Sequence, residues 1–310
     1  MDIAVDRAVL ASDEGLEHIR AAGDRLMSFS NLRYEGRYVP AGGFQRIHVM
    51  EFGDGPPVLL VHGAGSGGAI WHRQIAALAM DHRVVVPDVP MFGMSEIPDR
   101  VHAPRTQIGD VILDVMDALS IDIADIAGHS LGALGSIGAM TRDPERFNRA
   151  VLMSSPGFGR GLNWLLRLAS VRMMQRFIRY DSRRDRAFFF DRFEAQRSGP
   201  SDEREMWKEL HFRVGSRNGA VDSFHQGMGR FTGLFGQRDL LSEEALAAIG
   251  APTLFIWGDS DKIIPTRHSK KAVESLPNAR LEILEDCGHL VQLEASHRVT
   301  QLMLDWFRVS

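Results

Sequence analysis

A single cysteine, Cys287, in 310 residues cannot close an internal disulfide, so no such staple holds this chain together and a reducing, cytoplasmic setting is the expectation. Long apolar runs are missing as well: no stretch approaches the roughly eighteen consecutive apolar residues needed to span a bilayer. The start Met1-Asp2-Ile3-Ala4-Val5-Asp6-Arg7 has neither the basic residues nor the apolar run of a signal peptide. Both absences predict a protein that is neither embedded in a membrane nor exported. Nor is there an excess of positive charge. A net charge of -4 and a pI near 6.3 exert no general pull on nucleic acid, so a small molecule is the expected partner. Internal repeats and low-complexity tracts are likewise absent.

What is present is ordinary globular material, 44% hydrophobic and 25% charged, enough for a core whose folding should need neither metal nor disulfide. Residues 1–32 carry Val5, Val9, Leu10, Leu16, Ile19 and Leu26 at roughly helical spacing, predicting an amphipathic extension that packs on the core or on a second subunit of a homodimer. An antiparallel hairpin is expected from Arg37 to Phe52, joined through Pro40-Ala41-Gly42-Gly43. Short apolar runs then alternate with helical segments: Val58–Val61, Val84–Val86, Ile123–Ala127, Ala150–Met153, Thr253–Trp257 and Leu281–Leu284. Strands apolar on both faces and separated by helices indicate an α/β chain with a parallel sheet covered on each side. Helices are expected near 70–80, 106–119, 131–142, 267–276 and 293–306. The alternation breaks once, between Pro156 and about Asp239, where the sequence is helical and rich in arginine and phenylalanine. The predicted organisation is therefore a core of residues 33–156 and 239–310 with a helical cap, 157–238, inserted into it.

Four segments carry the chemistry. Gly128-His129-Ser130-Leu131-Gly132 joins an apolar strand to an Ala/Gly-rich helix, and a serine in a turn that tight needs glycine-sized neighbours on both sides. The helix that follows aims backbone N–H groups and the positive end of its dipole at the site, which suits a developing oxyanion. His62-Gly63-Ala64-Gly65-Ser66-Gly67-Gly68 follows the strand ending at Val61. It has neither the Lys-Ser/Thr ending of a P-loop nor Rossmann spacing, so it is better read as an oxyanion loop, with the N–H of Ala64 joining that of Leu131. Trp257-Gly258-Asp259-Ser260-Asp261 supplies two candidate carboxylates, of which Asp261 is favoured over Asp259, and Cys287-Gly288-His289 supplies the base. Serine, acid and histidine occur in that chain order, each after a different strand. His62 and His129 flank the site either as loop-ordering residues or, with Gly63, as substrate contacts. Trp164 and Phe231 are candidate pocket residues, though aromatic residues at helical spacing are also ordinary core. The arginines of the insertion are read mainly as a solvated face, with one reaching a substrate carboxylate as the alternative.

From about Tyr34 onward the sequence resembles the α/β-hydrolase fold superfamily. The resemblance rests on H-G-A-G at 62–65, P-D-V-P-M-F-G-M-S at 87–95, G-H-S-L-G at 128–132, W-G-D-S-D-K-I-I-P at 257–265 and G-H at 288–289. It implies an eight-stranded, mostly parallel sheet, a helical cap over the pocket, and catalysis by Ser130, His289 and Asp261 with no cofactor and no metal. Met91 stands where many relatives carry glycine, which predicts a differently shaped loop. Ser130 in place of aspartate argues against dehalogenase and epoxide hydrolase activity. The first expectation is hydrolysis of a carboxylic ester or lactone through an acyl-enzyme. The rival is a carbon–carbon bond hydrolase acting on vinylogous diketones, a family that typically shows tryptophan after the catalytic histidine and S-M-G at the elbow, where this chain has Leu290 and Ser130-Leu131-Gly132. A slow or non-catalytic receptor on the same fold is the expectation from another class.

Overall fold

The apolar runs become the central strands of one sheet in a computed structural model that describes residues 14–171, 173 and 201–308. In chain order the main strands are β1 (Arg37–Ala41), β2 (Phe44–Phe52), β3 (Pro57–Val61), β4 (Arg83–Pro87), β5 (Ala124–His129) and β6 (Phe147–Met153). After a short hairpin, β7 (Thr232–Gly233) and β8 (Gly236–Gln237), come β9 (Thr253–Gly258) and β10 (Ala279–Leu284). The eight-stranded sheet has the order β1-β2-β4-β3-β5-β6-β9-β10. Only β1 with β2 and β2 with β4 pair antiparallel; every other neighbour is parallel. Strands β5 and β9 are buried along their whole length, as continuous apolar runs require when helices cover both faces. The hairpin turns at Gly42 and Gly43, both with positive φ (58° and 81°), the conformation that a two-residue turn between antiparallel strands demands.

The helices are α1 (Glu14–Phe29), α2 (His72–Leu78), α3 (Pro104–Ala118), α4 (Leu131–Arg142), α5 (Trp164–Ala169), α6 (Ser201–Gly215), α7 (Ala220–Phe231), α8 (Glu243–Ala247), α9 (Arg267–Glu274), α10 (Val291–Glu294) and α11 (Ser296–Arg308). Pro104 opens α3 at its first turn, where a missing N–H costs nothing. The helix expected over 293–306 is broken at Ala295, which leaves the helical region (φ -122°, ψ 40°) and separates α10 from α11. In α1, Leu16, Ile19 and Leu26 are buried as their spacing predicts, whereas Val5, Val9 and Leu10 lie outside the described residues.

Between β6 and β9 the chain leaves the sheet and supplies α5, α6 and α7, which stand over the carboxyl ends of the parallel strands. The small β7–β8 ladder in this insertion was not expected from the sequence, because a two-residue pairing leaves no apolar run to read. Among the described residues no helix is long and apolar enough to cross a membrane.

Candidate active site

Ser130 sits between β5 and α4 with φ 51° and ψ -118°, a backbone conformation that costs an L-residue energy and persists only where the surroundings impose it. Those surroundings are visible. The Ser130 N–H donates to the Met153 carbonyl (2.8 Å) on β6, fixing one side of the turn. On the other side α4 lies so close to β3 that a Cβ on Gly132 would fall within 2.5 Å of the His62 carbonyl oxygen and closer still to that of Val61.

The imidazole of His289, in the loop between β10 and α10, places Nε2 3.0 Å from Ser130 Oγ and Nδ1 2.9 Å from Asp261 Oδ2. Asp261 keeps its other oxygen on backbone donors: Oδ1 accepts from the N–H of Ile263 (2.8 Å) and of Ile264 (2.9 Å). The carboxylate is thus fixed by two amides and presents one oxygen to the histidine. That fixes Nδ1 as the protonated nitrogen and leaves the Nε2 lone pair facing the serine. Asp259 points elsewhere. Its Oδ1 accepts from the Cys287 N–H (3.3 Å) in a surface turn, so of the two aspartates it is Asp261 that meets His289.

The loop after β3 is tied down by groups that never reach the cavity. His62 is fully buried; its Nε2 accepts from the Val89 N–H (2.9 Å) and its Nδ1 donates to the Gly63 carbonyl (2.8 Å). Asp88 collects the Gly68 N–H (2.6 Å), the Met94 N–H (2.8 Å) and His48 Nδ1 (2.9 Å). Burial alone would raise its carboxyl, but the His48 partner holds it below the usual range. His129 donates from Nε2 to the His289 carbonyl (2.9 Å), bracing the loop that carries that histidine. Full burial, and next the nearby His289, push the His129 imidazole well below the ordinary histidine value, so it stays neutral.

Above Ser130 lies a cavity of about 100 Å³. Its floor is Ser130, Leu131, His129, His289 and Ala64; its walls include Met91, Phe92, Leu162 and Leu166; α7 roofs it with Phe224, Met228 and Phe231. Of the candidate contacts, His129 and Phe231 line this space, while His62 and Gly63 do not. Trp164 is corrected outright: as the first residue of α5 it points outward, 58% exposed, and takes no part in the wall. Phe235 is exposed too, and Phe188, Phe189 and Phe190 lie outside the described residues. No arginine or lysine lines the cavity among the described residues; Arg160 and Arg167 do not reach it, and Arg172, Arg176, Arg179, Arg183 and Arg184 lie outside them. Met91 adopts a glycine-like conformation (φ 80°), and its side chain joins the wall.

His211 of α6 was not anticipated. It is a buried imidazole on the cavity wall, against Gly65. It sits in the charged stretch Lys208-Glu209-Leu210-His211, and nothing in that spacing says which side of the helix meets a pocket.

The α/β-hydrolase fold family model matches residues 56–296. The chain belongs to that family. Over 284 residues it is 32% identical to the 2-hydroxymuconate semialdehyde hydrolase of a Pseudomonas species, covering 87% of this chain and 93% of that protein. It is 28% identical over 271 residues to the 2-hydroxy-6-oxo-6-phenylhexa-2,4-dienoate hydrolase of Burkholderia cepacia, covering 84% and 91%. Among solved structures, a meta-cleavage product hydrolase from Pseudomonas fluorescens superposes with a TM-score of 0.72 at 26% identity, covering 88% of this chain and 97% of that one. A carboxylesterase of Bacillus subtilis reaches 0.77 at 22% identity over 95% and 99%, a likeness of fold alone. This α/β-hydrolase family member is a hydrolase with a small-molecule substrate.

The buried neutral histidines give the family member a pH signature. Burial lowers His62, His129 and His268, the last to about 4. Because the unfolded chain protonates these groups first, near pH ~6.5, their contribution is complete above that pH and is lost as pH falls toward the folded values. Thermal melts from about pH 7.5 down to about pH 4.5 should therefore show a declining Tm, and His268→Asn should flatten the slope; an unchanged slope in that variant would contradict the assignment.

Proposed function

We propose that this chain hydrolyses the carbon–carbon bond next to the 6-oxo group of a 2-hydroxy-6-oxo-dienoate, with Ser130 as nucleophile, His289 as base, Asp261 orienting the base, and the backbone N–H groups of Ala64 and Leu131 holding the oxyanion. The segment 157–238 serves as the cap. The observation that supports the substrate class is likeness along nearly the whole length of hydrolases named for such dienoates, above all the 32% identity to a 2-hydroxymuconate semialdehyde hydrolase. The geometry supports the chemistry. With Nδ1–H held by Asp261, Nε2 takes the Ser130 proton as Oγ adds to the 6-oxo carbon, and the oxygen of that carbonyl becomes the oxyanion. In the 2-oxo tautomer of the substrate, the electron pair of the breaking bond passes through the intervening double bond to the 2-oxo oxygen. Protonated His289 returns a proton to the departing dienolate. Water, deprotonated by His289, then cleaves the acyl-serine and releases a carboxylic acid. One water is consumed, and a 2-hydroxydienoate and an acid result. The apolar wall of Met91, Phe92, Leu162 and Leu166 suits a planar, conjugated body.

Ester or lactone hydrolysis, the first expectation from the sequence, uses the same residues and is the second reading. Leu290 and the S-L-G elbow favour it, while the full-length relatives favour carbon–carbon cleavage. Measured kcat/KM decides between them: a 2-hydroxy-6-oxo-dienoate should exceed p-nitrophenyl acetate and a simple lactone by roughly a hundredfold. A preference for the ester or lactone would overturn the proposal.

A further inference from the structure

Helix α1 precedes the segment that the family model matches and touches none of the reacting groups, yet it is joined to the cavity wall through α6. Four residues of α6 at helical spacing, Glu203, Trp207, Leu210 and Val214, are buried. Glu203, near the start of that helix, accepts from Arg73 at both oxygens, from Nε and from Nη2 at 2.7 Å each. His72 Nε2 stands 3.0 Å from Glu203 Oε1, and His72 Nδ1 lies 2.6 Å from Ser30 Oγ, one residue past α1. Phe29, the last residue of α1, meets the His72 ring edge-on and lies beneath the Arg73 guanidinium, 5.5 Å from its ring centre. Burial alone would raise the Glu203 carboxyl, but Arg73 first and His72 next hold it down at about 2, so it remains an anion. A buried carboxylate with a two-pronged partner contributes less to net stability than apolar packing would, but it admits only one geometry.

Two turns along α6, adjacent residues face different spaces. Leu210 borders a small void shared with Ile19 and Gly23 of α1 and with Gly67, Gly68 and Ala69 behind the loop after β3. His211, a quarter-turn or so around the helix, faces the catalytic cavity. Its Cε1 lies where a Cβ on Gly65 would be only 2.8 Å away, and Gly65 is held at φ 75° beside Ala64. The orientation of α6 therefore sets where His211 stands against that loop, and an oxyanion donor acts only when it is held in place before the charge develops.

We propose that α1 is a strut for the reaction: through the clamp Ser30–His72–Glu203–Arg73 it fixes α6, so that His211 stays packed beside Gly65 and keeps the Ala64 N–H aimed at the oxyanion. The proposal rests on the reading of Ser130 and Ala64 given above. Ser30, His72, Arg73 and Glu203 are positioning residues, because they act through α6 rather than on the substrate.

The test is a double-mutant cycle on the full-length chain, with kcat expressed per site titrated by a fluorophosphonate, so that a smaller folded fraction cannot imitate a slower enzyme. Glu203→Gln should lower kcat per titrated site by about tenfold or more while KM stays within about threefold. In a His211→Ala background the same change should add no further loss, since the clamp would then have nothing to position. Full kcat per site in Glu203→Gln, or losses that simply multiply in the double variant, would overturn the proposal. Should Glu203→Gln fail to fold, Arg73→Lys, which keeps the charge but gives up the two-pronged contact, is read by the same criteria. A wild-type chain that takes no label at all would sink the Ser130 reading, an outcome separate from a labelled wild type whose clamp variants are unaffected.

Discussion

Ser130→Ala should abolish covalent labelling by a fluorophosphonate and lower kcat by roughly four to six powers of ten, with Tm nearly unchanged. The size follows from the geometry: Ser130 Oγ faces both His289, at 3.0 Å, and the cavity, and among the described residues no other hydroxyl lines that cavity. Alanine keeps the strained backbone and removes only a hydroxyl that opens onto the cavity, so the fold has little to lose. His289→Ala should cost about as much, and the double variant hardly more, because the three side chains act as a unit. Asp261→Asn should cost less than either. Its Oδ1 would still accept from Ile263 and Ile264, but the amide that then faces Nδ1 is a donor and favours the wrong tautomer. If Asp259→Asn were the more damaging of the two aspartate changes, the acid would be misassigned.

Gly132→Ala should damage both stability and rate, by about 1–3 kcal/mol and by roughly a hundredfold in kcat respectively. The added methyl would meet the carbonyl oxygens of Val61 and His62, which are backbone atoms of a strand end and cannot swing aside as a side chain would. Strand β3 is paired with β4 on one edge and β5 on the other, so the strain must move α4 instead. That displacement carries Leu131 and its N–H away from the place proposed for the oxyanion. Gly250→Ala is the control: no atom lies within 4 Å of the Cβ it would add, and the change should stay within about 0.5 kcal/mol. A Gly132→Ala variant that matched the control in Tm and in kcat would show that the close approach of α4 to β3 is dispensable.

Much of this arrangement was legible in the sequence because its signals are local. The run Val58–Val61 reads as a strand buried on both faces, and a G-x-S-x-G segment that follows such a run and opens a helix reads as an elbow. The order of Ser130, Asp261 and His289, each after a different strand, suggested three side chains that would meet, and the structure brings them into contact. The choice between Asp259 and Asp261 was harder, since both sit in one turn; the amides of Ile263 and Ile264 decide it, and hydrogen bonds of that kind leave no pattern in the residue string.

What escaped the sequence is what depends on how separate elements dock. Trp164 looked like a pocket residue because it is large and lies in the insertion, yet a helix shows one face to its neighbours, and Trp164 is on the other. His211 was invisible for the complementary reason: a polar helix face conceals a group that becomes a cavity wall only once α6 lies over Gly65. Met91 holds φ 80° in a loop where glycine is the usual occupant, and that its side chain would join the cavity wall could not be read from the residue string. Resemblance also left the order of substrates open, because Leu290 and S-L-G point away from the very hydrolases that the chain matches along most of its length.

The most direct test of the central claim is to mix the enzyme with a 2-hydroxy-6-oxo-dienoate, quench in acid within the first turnover, and determine the mass of the peptide containing Ser130. The expected result is a transient increase equal to the acyl fragment, on Ser130, appearing before free acid and absent in Ser130→Ala. Release of both products with that peptide unmodified at every time point, and at an undiminished rate in Ser130→Ala, would contradict it.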